Sequence, residues 1–156
     1  MNSDAPARVP MVEGWLLVLC VILTFVIPIS KIVSVVLQFS SPALSLDLRI
    51  QIFVAIYSVI FSAIAIYSFV AGLKLWLIQP NALRFAKTFW WIYLVAHFVS
   101  VLSWILIFRS KAMIPAGGTV VFAHMSYVYL AGPILTFALW KSYLDHSKRV
   151  RETYTN

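Results

Sequence analysis

Four long stretches of this chain contain no Asp, Glu, Lys or Arg, and short polar segments separate them. The uncharged stretches are residues 14–30, 50–73, 88–108 and 112–140. A helix needs about 20 residues to cross the roughly 30 Å hydrocarbon core of a bilayer. Each stretch approaches that length or reaches it with its flanks, so the pattern predicts four membrane-spanning helices. We place them at about residues 13–37, 48–77, 83–108 and 119–144, followed by a basic surface tail at about 145–156.

Composition points to the same class of protein. Hydrophobic residues make up 62% of the chain and charged residues 11%, whereas an ordinary soluble domain has roughly 25% charged residues. Four spans in 156 residues leave no room for a soluble catalytic module. We therefore predict one all-α domain, an integral membrane four-helix bundle.

Basic residues are divided unequally between the two sides of such a bundle. The amino-terminal tail, the second connection and the carboxy-terminal tail would share one side, which carries eight of the twelve Lys and Arg residues. Because short segments rich in Lys and Arg stay in the cytoplasm, both termini are predicted to be cytoplasmic. We expect six basic residues on this side to contact lipid headgroups: Arg84, Lys87, Lys141, Lys148, Arg149 and Arg151.

Other partners also suit these basic residues. The net charge of +7 is compatible with nucleic acid, but the basic side chains flank the spans, so anionic lipid is the simpler partner and no nucleic acid is predicted. Arg84 and Lys87 would also suit a soluble anion. The tail would also suit an acidic partner subunit.

The second predicted span carries small residues at steps of three or four. They are Ala55, Ser58, Ser62, Ala65, Ser68 and Gly72. This spacing places them on one helical face, where another backbone can approach closely. We predict a helix-packing seam, with a ligand groove as the alternative.

A polar and aromatic stripe marks the third predicted span, with a shorter one on the fourth. The stripes consist of Tyr93, His97, Ser100 and Trp104, then His124 and Tyr127. They predict a cavity between these two helices for a lipid, a quinone or another amphiphile. In the alternative interpretation, each histidine only bonds to a neighbouring polar group inside the bundle.

Candidate chemistry beyond binding is sparse. His97 and His124 could suggest haem, but counting along the helices separates their depths by roughly 10 Å. The sequence shows no cluster with metal-ligand spacing, no glycine-rich phosphate loop and no nucleophile beside a base. No uncharged stretch holds the carboxylate that proton-coupled exporters use. We therefore predict a non-enzymatic protein without a cofactor.

Two prolines predict irregularities in the spans. Pro28 is expected to bend the first helix, and Lys31 follows one turn later. This lysine either extends to the outer headgroups or contacts an anion or substrate at the bend. Gly132 and Pro133 are expected to interrupt the fourth helix.

Short motifs at both ends and in the middle of the chain resemble a known family. They are the sequence GWLL at 14–17, then Leu23, Thr24 and Pro28, the segment 80–87, the segment 147–151, and Thr153 with Tyr154. Together they are similar to a bacterial domain-of-unknown-function family of small four-helix inner-membrane proteins. The resemblance implies a fold and a bacterial cytoplasmic membrane, and no activity or ligand.

Three functions follow as hypotheses from these observations. The first is a non-catalytic accessory or scaffold subunit of a membrane assembly, formed with other subunits or as a homo-oligomer. The second is a binder of an amphiphile in the predicted cavity. The third is a small transporter.

Overall fold

The computed structural model describes residues 12, 14–40, 48–108 and 118–154. Only the backbone is described for residues 49, 50, 104, 107, 108, 118–130, 149 and 152. All regular secondary structure within these ranges is helical, which confirms the all-α fold.

The helices follow the uncharged stretches closely. Their bounds are α1 Trp15–Val21, α2 Ile27–Phe39, α3 Leu48–Trp76, α4 Ala82–Phe108, α5 Gly118–His146 and α6 Lys148–Tyr154. A π-helical turn, Ile22–Val26, joins α1 to α2, and we call the continuous helix Trp15–Phe39 the N-terminal helix. This helix, Gln51–Trp76 and Ala82–Ser103 are each long and apolar enough to cross a membrane, so the chain is a membrane protein. The fourth predicted span corresponds to α5, and its crossing of the membrane stays a prediction.

Consecutive helices pack against each other in antiparallel directions. Gly72 of α3 lies beside Thr24, and Phe61, earlier in α3, lies beside Lys31, later in the N-terminal helix. Ring contacts and an ion pair show the same reversed order for α3 with α4 and for α4 with α5. Short connections between successive spans produce this arrangement, because each helix must return across the layer that its predecessor crossed.

Among the described side chains, the buried core lies mainly at the end of the bundle where α3 ends and α4 begins. Trp90 is fully buried there and stacks on Trp140 at a centroid distance of 6.4 Å. The other members of the core at this end include Leu16, Leu19, Leu75, Ala82, Ala86, Phe89, Leu144 and Val150. Large aromatic rings therefore hold α4 against α5 at this end.

The π-helical turn accommodates Pro28, where the sequence predicted a bend. The Ile27 N–H donates to the Ile22 carbonyl, and Pro28 has no N–H. The Leu23 carbonyl therefore lacks both backbone donors that α-helical or π-helical bonding would supply. The Ser68 hydroxyl of α3 donates to this carbonyl instead, at 2.7 Å. The irregular turn is thus satisfied from a neighbouring helix.

Replacing Ser68 by alanine should expose the importance of this bond. The buried Leu23 carbonyl would lose its donor, so we expect the free energy of unfolding to fall by about 1–2 kcal/mol. Ser34→Ala is the matched control, because the Ser34 hydroxyl donates to its own helix at an exposed position. Thermal unfolding in mild detergent measures both, and an equal loss in the two variants would contradict the assigned role.

Helix α5 is continuous, so the predicted interruption at Gly132 and Pro133 is wrong. Pro133 stands inside the helix, which runs from Gly118 to His146. The Thr136 hydroxyl donates to the Gly132 carbonyl at 2.8 Å. Apolar membrane helices tolerate proline when Ser or Thr side chains and neighbouring helices compensate for the altered bonding.

The carboxy-terminal tail folds back on the bundle as helix α6. The Ser147 hydroxyl accepts a hydrogen bond from the Val150 N–H at 3.4 Å, as a helix N-cap does. Val150 is fully buried, and the Tyr154 hydroxyl donates to the Leu75 carbonyl at 2.7 Å. Burial raises the pKa of the Tyr154 phenol. The sequence predicted a tail that lies along the surface. In the structure, the side chains of Val150 and Tyr154 anchor the tail to the bundle.

Candidate functional site

A lysine and a histidine meet inside the bundle. Nζ of Lys31, on the N-terminal helix, lies 3.2 Å from Nε2 of His97, on α4. At 1.5 Å per residue, His97 is about 22 Å from the start of α4 and about 17 Å from its end. His97 is also about 9 Å from Ser103 and Lys31 about 12 Å from Phe39, the ends of their candidate spans, so the pair lies within both spans, where a charge is costly.

The hydrogen bond from His97 to the backbone identifies the tautomer of its neutral form. Nδ1 lies 2.8 Å from the Tyr93 carbonyl, which can only accept a hydrogen bond, so Nδ1 carries the hydrogen. In a neutral imidazole, Nε2 then has a free lone pair. Because the Lys31 ammonium can only donate, it donates to Nε2. With Lys31 protonated, the geometry therefore pairs a cationic lysine with a neutral histidine.

Aromatic rings surround the ammonium. Lys31 Nζ lies 4.6 Å from the centroid of Phe61 and 5.2 Å from that of Tyr93. The Phe61 and His97 rings meet edge to face at 5.1 Å, and Tyr57 stacks on Phe61 at 4.1 Å. The negative faces of aromatic rings attract a cation. We call Lys31, Phe61, Tyr93 and His97 the lysine cage.

Among the described residues, no carboxylate lies in the helices that form the cage. The three helices that form it, Trp15–Phe39, Leu48–Trp76 and Ala82–Phe108, contain no Asp or Glu in their sequences. Ionisable residues within membranes usually pair with opposite charges or mark a functional site. Lys31 has rings and an imidazole around it, which leaves its positive charge available to an anionic group.

An apolar groove lies between α3 and α4 beside the cage. Its volume is about 210 Å³, and it is lined by Ile52, Phe53, Ile56, Tyr57, Ile60, Val99, Ser100 and Ser103. Tyr57 lines the groove and also stacks on Phe61 of the cage. Ser100 lies one turn beyond His97 and donates to the Ala96 carbonyl at 2.7 Å. The groove therefore ends next to the lysine cage.

The described part of the predicted stripe faces a different neighbour from the one expected. His97 is buried against Lys31 and Phe61, and Ser100 faces the groove with α3. The contacts described for these residues are with the second span and the N-terminal helix, and the cavity between the third and fourth spans stays a prediction. The side chains of Trp104, His124 and Tyr127 lie outside the described residues.

Sequence reasoning missed the lysine cage. It expected the Lys31 ammonium either at the outer headgroups or at an anion, and it singled out neither Phe61 nor Tyr57. One signal was available: Lys31 is the only charged residue between Trp15 and Phe39, within the most apolar of the three candidate spans. A single charge in such a helix is by itself a reason to suspect a site.

Small residues of the predicted seam hold α3 against the N-terminal helix. Of the six, Ser58, Ala65, Ser68 and Gly72 are buried, whereas Ala55 and Ser62 are exposed. A Cβ atom on Gly72 would lie 2.9 Å from the Thr24 backbone nitrogen and would collide with the Thr24 hydroxyl. The Trp76 indole N–H donates to that hydroxyl at 3.2 Å. The seam is thus narrower than predicted, with its closest approach at Gly72.

Basic residues at the core end of the bundle surround a single carboxylate. Lys87 of α4 and Lys141 of α5 each lie 2.7 Å from an oxygen of Asp145. Their side chains remain 41% and 38% exposed, so both can still reach headgroups. Of the other predicted headgroup contacts, Arg84, Lys148 and Arg151 are exposed, and the side chain of Arg149 lies outside the described residues.

Because Asp145 is paired with two lysines, the free energy of unfolding depends on pH in the acidic range. Hydrogen bonds from Lys141 and Lys87 lower the pKa of Asp145 to about 2. Its contribution is therefore complete above the ordinary pKa of 3.8 and disappears as the pH falls towards 2. The Asp145→Asn variant should lack this pH-dependent part of the free energy of unfolding, which is about 1 kcal/mol or less for each exposed pair. Unfolding of the wild type and of Asp145→Asn, measured from pH 7 to pH 2, tests this prediction. Identical pH profiles for the two proteins would contradict it.

The chain matches no family model, no curated protein and no solved structure. The family resemblance of its ends and middle stays a prediction. In the part of the chain that the structure describes, no three His, Cys, Asp or Glu residues are grouped to hold a metal ion.

Proposed function

We propose that this protein binds an anionic amphiphile, whose head pairs with Lys31 and whose apolar chain lies in the groove between α3 and α4. The observation that carries the proposal is the ammonium inside three helices that contain no carboxylate. An opposite charge supplied by a ligand would compensate it. Small-molecule sites commonly combine an apolar lining with a few polar anchors, as this groove and cage do.

The same proposal includes a location and an orientation. We place the protein in a bacterial cytoplasmic membrane as a four-span bundle with both termini in the cytoplasm. Two contacts support a shared side for the second connection and the tail: Lys87 with Asp145, and Tyr154 with Leu75. The excess of basic residues on that side favours the cytoplasm. A reporter fused after Asn156 that proved periplasmic would overturn this orientation.

Binding of oleate to the protein in nanodiscs of zwitterionic lipid tests the ligand proposal. We expect Lys31→Met to weaken binding at least tenfold. Lys74→Met is the matched control, because Lys74 Nζ also lies over a phenylalanine, 4.4 Å from the centroid of Phe85, but bonds to Gln79 beyond the end of α3. Thermal unfolding of each variant verifies that it is folded. Equal binding by the wild type and Lys31→Met would overturn the proposal.

An accessory subunit is the second candidate function, and helix α6 supports it. Val150 and Tyr154 anchor this helix to the bundle, while Lys148 and Arg151 remain exposed on it. A fixed basic surface suits an acidic partner subunit. Native mass spectrometry after gentle extraction should show a retained subunit that Lys148→Glu releases. Recovery of the wild type without any partner would count against this function.

A further inference from the structure

The lysine cage contains a free base as well as a cation. Among the side chains that the structure describes, the titratable groups facing it are Lys31 from the N-terminal helix, Tyr57 from α3, and Tyr93 and His97 from α4. Of these, His97 presents an unprotonated nitrogen, Nε2, because its hydrogen is on Nδ1. The cage can therefore accept a proton at Nε2 and an anion at Lys31.

The lining of the groove beside the cage favours an uncharged ligand. All eight residues that line the groove are apolar or carry a hydroxyl as their only polar group. Moving an isolated carboxylate through hydrocarbon costs many kcal/mol, whereas its protonated form carries no charge. A carboxylic acid would therefore reach the groove from the lipid in its neutral form.

We infer that the ligand is a long-chain carboxylic acid that is ionised inside the cage, an inference that rests on the proposed function. The O–H bond of the acid breaks, and its proton forms an N–H bond at Nε2 of His97. The Lys31 ammonium, which has donated to Nε2, turns to one carboxylate oxygen, and the new Nε2–H donates to the other. Nδ1–H keeps its bond to the Tyr93 carbonyl.

Charge balance explains why this step suits a membrane interior. Before binding, the cage carries one positive charge, on Lys31. Afterwards Lys31 and His97 are both cationic and the carboxylate is anionic, so the net charge is the same. Two cations separated by a few ångströms would repel each other strongly in a low-dielectric site, and the carboxylate between them removes that repulsion. Protonation of His97 is thereby coupled to binding of the anion.

The same requirement for charge balance in the cage determines which class of acid fits. Phosphate diesters remain ionised near neutral pH and would carry their charge through the groove. They would also bring no proton for His97. A monocarboxylic acid brings one proton and one negative charge, which matches one base and one cation in the cage.

Oleic acid labelled with carbon-13 at the carboxyl group provides the test, in nanodiscs of zwitterionic lipid. The carbon-13 shift reports ionisation, and we expect the bound acid to stay ionised at pH values where the free acid in the same lipid is protonated. His97→Gln should bind at least tenfold more weakly, with the bound acid protonated. In the wild type, the nitrogen-15 signal of His97 Nε2 should change to the protonated form when the acid is added, which needs no variant.

The outcomes separate the two proposals. A bound acid that titrates like the free acid, or an unchanged Nε2 signal, would overturn proton transfer while leaving amphiphile binding intact. Absence of bound oleic acid in the wild type would overturn the proposed function as well. Tighter binding of a lysophosphatidate than of oleate would overturn the choice of a carboxylic acid.

Discussion

Gly72→Ala should lower the free energy of unfolding by about 2–3 kcal/mol, because the added methyl group enters a contact with no spare room. Its Cβ would lie 2.9 Å from the Thr24 backbone nitrogen, and a backbone atom cannot move away as a flexible side chain can. Relief of the collision would require α3 and the N-terminal helix to separate. That movement would also stretch the bond from Trp76 to Thr24.

Gly132→Ala is the matched control for this prediction. Gly132 also lies inside a helix, but a Cβ there would meet nothing within 4 Å. Alanine favours a helix over glycine by about 1 kcal/mol, so this variant should be neutral or slightly more stable. Thermal unfolding in detergent compares the two. A similar change in both variants would show that the contact with Thr24 does not limit packing.

Lys31→Met should raise the free energy of unfolding by about 1–3 kcal/mol in the absence of ligand, although it removes the proposed binding. In a separated N-terminal helix, a lysine at this position can extend its ammonium towards the headgroups. Packing draws the ammonium between three helices, where only rings and an imidazole compensate it. Methionine has a similar length and no charge, so it fills the cage without that cost.

Two comparisons test this prediction, one with the Lys74→Met variant and one with added oleate. Lys74 bonds to Gln79 beyond the end of α3, so its replacement should change stability much less. Saturating oleate should stabilise the wild type and Lys74→Met, but not Lys31→Met, since only a bound ligand shifts unfolding. A Lys31→Met protein that is less stable without ligand would show that the lysine serves the fold.

Much of the fold could be predicted because absent charge is a direct signal for a membrane span. The uncharged stretch at 50–73 lies within α3, and that at 88–108 lies within α4. The direction that each side chain faces could not be predicted in the same way. Helices that are apolar all round have no polar face to mark the outside, and helix association in lipid has no hydrophobic driving force. The contacts of His97 with Lys31 and Phe61 were therefore not predicted.

Two other features depend on contacts between helices, which could not be deduced from the sequence directly. Pro28 signals a missing N–H, but the donor for the Leu23 carbonyl is Ser68, far away in the sequence. Helix α6 had a weaker signal: Val150 and Tyr154 stand four residues apart in a polar tail, which is the spacing of one helical face. That spacing could have predicted that the tail docks on the bundle.

The π-helical turn helps to set the position of Lys31. Within the turn, Leu23 and Thr24 are tied to α3 by hydrogen bonds from Ser68 and Trp76. Lys31 lies about 10 Å beyond Thr24 along the helix axis, so a bend of about 10° at the turn displaces it by roughly 2 Å. Such a displacement is large beside a bond of 3.2 Å between Lys31 and His97. The distance between the lysine and the imidazole therefore depends on the angle of this turn, which the bonds to Leu23 and Thr24 hold.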